Sequence, residues 1–210
     1  MKKIILSFAL IASVLTGCKS EKKDKVVTKE AVKVAVVADL NNVDTTTSVI
    51  TWKGTKPTGS HNGTIMLKEG SLNLEGGKLT GGVFVIEMSS IKNLDLDADG
   101  AAKIVGHLSA PDFFDVATYA TSKFVITSVA GVEGALAVTG NLTVKEITKS
   151  ITIPATLTSV GNVTTFKSEK FNIDRTEFNI KYASKTFFDN LKDKFIDDAI
   201  ELSFSVNTKA

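Results

Sequence analysis

The chain contains a single arginine. Arg175 is the only arginine among 25 Lys and Arg residues, and it follows Asp174 directly. A guanidinium is a planar and permanently charged donor, which suits a phosphate or carboxylate head group. The same side chain can clamp a nearby carboxylate or main-chain carbonyls at a strand end, and Glu177 also lies close in sequence. Arg175 is therefore a candidate contact for an anionic head group, with the structural clamp as the favoured alternative.

His61 and His107 are the only histidines. Two histidines cannot make a three-histidine zinc site, and no further His or Cys follows either at ligand spacing. Each could donate a hydrogen bond to a ligand head near an opening of the domain. For His107 the favoured interpretation is structural, as a residue that caps or orients the loop before Asp112.

The segment 95–100 (DLDADG) imitates the start of a calcium-binding loop. Acids stand at positions one, three and five, and glycine at six, but position twelve is Gly106 where a bidentate Glu is needed. A turn leading into a short helix, with Asp99 near its N-terminus, explains the segment better. The sequence therefore predicts no metal site and calls for no cofactor.

Catalytic signatures are absent from the sequence. It has no Gly-x-Ser-x-Gly elbow and no phosphate-binding loop. Scattered serines with two histidines do not amount to a triad. We therefore expect a protein that is not an enzyme.

Cys18 is the only cysteine and follows an apolar segment directly. Lys2 and Lys3 precede an apolar stretch of about twelve residues, the pattern of an export signal. Residues 15–18 (LTGC) resemble the lipobox of bacterial lipoproteins. We expect residues 1–17 to be a signal peptide and Cys18 to carry acyl chains such as palmitate, which would anchor the protein to a membrane of the cell envelope, on its periplasmic or outer face.

Residues 18–42 are predicted to form a flexible tether, because the run KSEKKDK at 19–25 is too polar to bury. Removal of the leader would take the formal charge from +2 to near neutral, since Lys2 and Lys3 are its only charged residues. The absence of a basic face argues against nucleic acid as a partner. The remaining residues, 43–210, are enough for one domain with a real core.

The hydrophobic pattern of this domain has a period of two. At 200–207 (IELSFSVN) apolar and polar residues alternate, and similar rows recur at 134–144 and 151–157. About eight strands can be counted, with two short helical segments near 98–108 and 185–192. Eight amphipathic strands suit a closed barrel or a sandwich, and the pattern alone does not separate the two. Pro154 indicates an edge or a bulge in its strand.

Four groups of residues occur in a characteristic order across almost the whole domain. They are WKGTK at 52–56 with GSHNG at 59–63, GHLS at 106–109 with DFFD at 112–115, GNLTV at 140–144 with ITIP at 151–154, and IDRT at 173–176 with Phe178. In this order and spacing they resemble the YceI-like family of bacterial periplasmic proteins. Two positions depart from the family pattern: Glu146 and Asn179 stand where members usually have glycine.

The resemblance implies an all-β fold, an antiparallel lipocalin-like eight-stranded barrel. It also implies that a polyisoprenoid or related fatty lipid is held inside. Aromatic residues on strands and in two Phe-Phe pairs would line or plug such a cavity. The candidates are Trp52, Phe84, Phe113, Phe114, Phe124, Phe178, Phe187, Phe188 and Phe204.

Two functions remain open from the sequence. A membrane-anchored carrier would bind, sequester or transport a long-chain apolar ligand. A structural or protein-interaction lipoprotein would have a barrel filled by its own side chains and no ligand. The sequence also leaves open whether the domain assembles as a homodimer.

Overall fold

A computed structural model describes residues 25–33, 40–132 and 134–210. Cys18 and the predicted signal peptide lie outside these ranges. Within them the chain forms ten strands, one α-helix and one short 3-10 helix. The strands are β1 Lys29–Glu30, β2 Val43–Lys56, β3 Gly59–Glu75, β4 Lys78–Asn93, β5 Thr121–Val132, β6 Ala135–Val144, β7 Ile147–Val160, β8 Val163–Ser168, β9 Phe171–Asp174 and β10 Ala199–Thr208; the helices are α1 Ala98–Ser109 and the 3-10 helix Arg175–Phe178.

Eight of these strands form a closed antiparallel ring among the described residues. Consecutive strands from β2 to β7 pair as neighbours, β8 pairs with β7, and β10 closes the circuit between β8 and β2. The prediction of an eight-stranded barrel is thereby confirmed, and the sandwich is excluded. Because the strands close into a ring, every strand can present one face to the interior.

The interior is built from the alternating apolar rows of the sequence. Ile151, Ile153 and Ala155 of β7 are buried, and so are Val138 and Val144 of the neighbouring β6. The polar residues between them face outward, where Thr139 and Thr152 hydrogen-bond at 2.8 Å between their hydroxyls. The period-two pattern therefore predicted β6 and β7 and the face that each of them buries.

The second predicted helix, at 185–192, is wrong. The segment is a series of turns. The N–H groups of Phe187 and Phe188 both donate to the Ser184 carbonyl, but Asn190 and Lys192 have φ angles of 61° and 51°. Left-handed backbone at two nearby residues stops a right-handed helix from propagating.

The sequence assigns residues 25–33 to a solvated tether, whereas the structure places them against the barrel wall. We call this segment the strap. Lys29 and Glu30 pair with Ser150 and Lys149 of β7. On the other side, the Val26 N–H donates to the Asn172 carbonyl of β9 at 2.8 Å. The strap thus occupies a seam where β7 and β9 do not pair with each other.

Pro154 marks the point at which this seam begins. β7 pairs with β8 from Val160 back to Ala155, the residue that directly follows Pro154, and the pairing stops there. The edge or bulge predicted from Pro154 is confirmed, since a proline cannot donate to a ladder.

Candidate ligand-binding cavity

The barrel encloses a cavity of about 510 Å³, within the range typical of small-ligand sites. Its wall comes from inward side chains of the strands, from α1 and from the loop before β10. Aliphatic and aromatic residues dominate it. Those from strands include Ile50, Trp52, Ile65, Leu67, Phe84, Ile86, Met88, Ile91, Phe124, Leu142, Val144, Ile151, Ile153, Phe171, Ile173, Ile200, Leu202, Phe204 and Val206.

Aromatic rings form one side of the wall. Phe204 of β10 lies between Phe166 and Phe171, with ring centroids 4.9 Å and 6.4 Å away. Phe84 of β4 stacks on Phe166 at 6.0 Å. Because Phe166 and Phe84 are almost fully buried, this cluster is packed core as well as cavity surface. Its edge and stacked contacts hold the rings in fixed positions.

Trp52 lies in the wall because its strand partner is a glycine. Trp52 of β2 pairs with Gly63 of β3. A Cβ atom added at Gly63 would lie 2.7 Å from the indole Cζ2 and 1.8 Å from the Lys92 carbonyl oxygen. The indole therefore lies directly over the glycine, and residue 63 admits no side chain.

The cavity reaches the surface at the end of the barrel that carries α1. Gly100, Lys103, Ile104 and His107 share one helical face, since their spacing follows the helical repeat, and all four belong to the wall. Lys56, the last residue of β2, is also part of the wall, and both lysines are exposed. We call this end of the cavity the mouth.

Arg175 is fully buried and acts as a clamp. Its guanidinium donates to the main-chain carbonyls of Ile180, Ile196 and Asp197 at 2.8, 3.0 and 3.1 Å. It also contacts the Asp198 carboxylate at 3.3 Å. Burial lowers the pKa of the Arg175 guanidinium, and the charge of Asp198 opposes that shift. Although Arg175 belongs to the cavity wall, these contacts occupy most of its donors, as the favoured structural alternative predicts.

His61 also belongs to the wall but is committed to Asp95. The distance from its Nδ1 to Asp95 Oδ2 is 2.9 Å. The pKa of Asp95 is lowered from 3.8 to about 2, first by the Asn62 main-chain N–H, against the opposing effect of burial, and then by His61 and Asn93. This network fixes the start of β3 to the loop before α1.

His107 packs between two aromatic rings. Its ring centroid lies 5.6 Å from that of Phe113 and 4.5 Å from that of Tyr182, both edge-on. The Asp112 carboxylate is 4.0 Å from Nε2, too long for a hydrogen bond. His107 therefore orients the loop after α1, as its structural interpretation predicts. Among the described residues, no hydrogen bond joins any two of His61, His107 and Arg175, although all three line the cavity.

The predicted aromatic residues fall into two groups. Trp52, Phe84, Phe113, Phe114, Phe124 and Phe204 line the cavity. Three others lie elsewhere. Phe178, the last residue of the 3-10 helix, is fully buried in the core, whereas Phe187 and Phe188 are 45% and 49% exposed on the surface.

Sequence reasoning missed Lys56 and Lys103, together with most of the aliphatic wall. The helical spacing of Gly100, Lys103, Ile104 and His107 was a usable signal for Lys103. No comparable signal marks Lys56, because its position depends on where β2 ends.

The acidic segment before α1 is an N-capping turn. The Asp97 carboxylate accepts from the Gly100 N–H at 2.8 Å, as an N-cap residue does. The Asp95 carboxylate accepts a hydrogen bond from the Asn62 N–H, so it does not converge with Asp97 on a common metal site. In the described ranges, no group of three or more His, Cys, Asp or Glu side chains is arranged to hold a metal ion. None of the helices there is both long and apolar enough to cross a bilayer.

Eight antiparallel strands closed around an internal cavity define a lipocalin-like barrel. The profile of the YceI-like domain matches residues 22–208, and the chain belongs to that family. Among curated proteins, it is 46% identical over 56 residues to UPF0312 proteins of Pseudomonas savastanoi pv. phaseolicola and Pseudomonas syringae pv. syringae. These matches cover 26% of this chain and 29% of each relative.

Solved structures share the fold at low sequence identity. BcnA of Burkholderia cenocepacia superposes with a TM-score of 0.66 at 21% identity, over 80% of this chain and 100% of that one. A domain from Saccharophagus degradans, described as polyisoprenoid-binding, gives 0.63 at 15% identity over 80% and 97%. The YCEI protein of Campylobacter jejuni gives 0.52 at 16% identity over 87% and 92%.

Proposed function

We propose that this protein binds a long-chain apolar ligand of the polyisoprenoid class inside its barrel and carries or sequesters it without catalysis. The observation that supports the proposal is the apolar cavity of about 510 Å³, open at the mouth. A barrel filled by its own side chains would favour the alternative structural role, and the interior is not filled.

The apolar wall can supply the affinity of such a ligand by itself. Each buried methylene contributes about 0.8 kcal/mol, so about fifteen buried carbons contribute roughly 12 kcal/mol. After a cost of about 4 kcal/mol for association, the remainder corresponds to micromolar binding. Affinity therefore depends mainly on the length of the tail, and we expect several chains of similar length to bind.

The named ligand of one structural neighbour is consistent with this proposal. The Saccharophagus degradans domain is described as polyisoprenoid-binding. Since the identity to that domain is 15%, the likeness supports the fold, and the cavity of this chain carries the argument for a ligand.

We also propose that acylated Cys18 anchors the protein in the cell envelope. The support is the LTGC segment at 15–18 after an apolar stretch. The anchor would hold the barrel close to the bilayer from which an apolar ligand must come. Incorporation of labelled palmitate into the wild type, and its absence in Cys18→Ser, is the expected result; labelling of both proteins would contradict the anchor.

The carrier proposal is tested by native purification, solvent extraction and mass spectrometry. A polyprenyl or similar long-chain compound is expected in the extract. Trp52 is the only tryptophan and lies in the cavity wall, so its fluorescence should change on titration with geranylgeraniol. An empty extract together with unchanged Trp52 emission would contradict the proposal.

A cavity-filling variant gives a second measurement. Leu202 lines the cavity and retains some accessible surface, so Leu202→Trp should fill space that a ligand needs. We expect less co-purified ligand and lower uptake of a fluorescent polyprenyl probe. Val160→Trp is the matched control, because Val160 is 81% exposed and lies outside the cavity wall.

A further inference from the structure

The charged residues of the cavity wall are confined to few positions. They are Lys56, Lys103, Arg175 and Asp197, together with the titratable His61 and His107. Lys56 and Lys103 are exposed and mark the mouth, whereas the inward residues of β4, β6, β7 and β10 are apolar. Any polar group of a bound amphiphile is therefore accommodated at this end.

Most of these groups are already engaged within the protein. Arg175 donates to three carbonyls and to Asp198, and His61 contacts Asp95. The main chain of Asp197 donates to the Thr55 carbonyl at 2.8 Å and its carbonyl accepts from Arg175. None of these groups can turn toward a ligand without breaking contacts that hold the mouth together.

Lys56 and Lys103 differ from Arg175, His61 and Asp197 in this respect. Neither ammonium has a hydrogen-bond or ion-pair partner within residues 25–33, 40–132 and 134–210. They come from two different elements at the mouth, the end of β2 and the middle of α1. Two exposed cations in the wall of an otherwise apolar cavity favour an anionic head group over a neutral one, because only the anion gains Coulomb attraction from each ammonium.

We propose that Lys56 and Lys103 form a head-group site that selects amphiphiles with an oxyanion head, phosphate or carboxylate, over neutral amphiphiles with the same tail. This inference rests on the proposed function, since the tail must occupy the cavity for the head to reach the lysines. A flexible ammonium with three donors can follow a head group whose depth varies with tail length. The site therefore adds selectivity for charge without restricting the length of the chain.

The test compares two ligands that share one tail. Geranylgeranyl phosphate and geranylgeraniol are titrated separately against the full chain, with Trp52 fluorescence as the signal. In low-salt buffer the phosphate is expected to bind about tenfold more tightly than the alcohol, and the ratio should shrink in high salt. In Lys56→Gln/Lys103→Gln the ratio should fall to about twofold or less. Lys53→Gln, an exposed lysine of β2 outside the cavity wall, is the matched control and should keep the ratio.

The outcomes separate this inference from the proposed function. Equal binding of the two ligands to the wild type, or an undiminished ratio in the double variant, would overturn the head-group site while leaving the carrier proposal standing. Binding of neither ligand would overturn both. If inorganic phosphate displaced geranylgeranyl phosphate, the lysines would form a site for the free anion, and the proposal that they select an amphiphile would be overturned.

Discussion

The side-chain amide of Asn141 forms two hydrogen bonds with the main chain of Val32. Its Nδ2 donates to the Val32 carbonyl at 2.6 Å, and the Val32 N–H donates to its Oδ1 at 3.1 Å. Asn141 lies on the outer face of β6, yet the strap leaves it almost fully buried. One side chain thus fixes the strap to the barrel more than one hundred residues away in sequence.

Replacement of Asn141 with alanine should release the strap. Removal of a buried amide that makes two hydrogen bonds is expected to cost about 1–3 kcal/mol. Hydrogen exchange in residues 25–33 should become faster, while the strands opposite the seam keep their protection. Asn162→Ala, in the exposed turn between β7 and β8, is the control. Unchanged protection of the strap in Asn141→Ala would show that the strand pairing holds it without the amide.

Gly63→Ala should destabilise the barrel strongly. The new Cβ would lie 1.8 Å from the Lys92 carbonyl oxygen, so strands β3 and β4 would have to separate. We expect a loss of about 3 kcal/mol in the free energy of unfolding. Gly54→Ala is the control, since no atom lies within 4 Å of its Cβ position, and it should raise stability by about 0.5 kcal/mol. Urea denaturation measures both, and equal effects would contradict the close packing of Trp52 on Gly63.

Glu146→Gly should stabilise the protein. Lys145 and Glu146 form the two-residue turn between β6 and β7 with φ angles of 49° and 63°, a conformation that favours glycine. Glycine relieves the left-handed strain of the turn but also raises the conformational entropy of the unfolded chain. The net gain in the free energy of unfolding is expected to be about 0.5–1 kcal/mol. The melting temperature should rise by about 2 °C. Glu69→Gly, on an exposed site of β3, should lower it instead.

Asp95 should make stability depend on pH in the acid range. Because its pKa is lowered from 3.8 to about 2 in the folded state, its contribution is complete above pH 3.8 and is lost as the pH falls through about 2. The wild type should therefore lose stability more steeply than Asp95→Asn between these values. Thermal unfolding across this range measures the difference. Asp189→Asn, at an exposed site, is the control. If the stability of Asp95→Asn fell with pH as steeply as that of the wild type, the prediction would be contradicted.

Arg175→Lys should weaken the fold more than it weakens ligand binding. A lysine cannot reach the three carbonyls of Ile180, Ile196 and Asp197 together, so about 3 kcal/mol of stability should be lost. At a temperature where the variant stays folded, its preference for geranylgeranyl phosphate over geranylgeraniol should persist. A lost preference in a folded variant would assign Arg175 to the head group.

The hydrophobic pattern predicted the strands well because each strand carries local information, whereas their closure into a barrel was implied by the resemblance to the YceI-like family. The alternation at 200–207 predicts strand β10 and its inward face, and Pro154 predicts the interrupted ladder of β7. The unusual residues were informative too: Glu146 and Asn179, which replace glycines of the family pattern, both adopt left-handed backbone, with φ of 63° and 59°.

The features that the sequence did not predict correctly depend on contacts or backbone conformations that the local hydrophobic pattern does not encode. No periodicity marks the strap, since its docking depends on main-chain groups of β7 and β9 that do not pair with each other, and on Asn141. The helix expected at 185–192 is prevented by two left-handed residues that composition does not reveal. The sequence leaves Arg175 as either a clamp or a ligand contact. The carbonyl groups that decide between the two lie five to twenty-two residues later in the chain, and no local pattern marks them.

The seam between β7 and β9 also determines how the domain would bear a mechanical load. The strap runs antiparallel to β7, and its first described residue, Lys25, is tied to Asp174 at 2.7 Å. In a chain anchored through Cys18, as proposed, tension reaches Lys25 before any strand of the ring. A pull along β7 would load the strap's hydrogen bonds together in shear, whereas a pull away from the wall would peel them off one at a time. The resistance of this wall to force would thus depend on the direction of the pull.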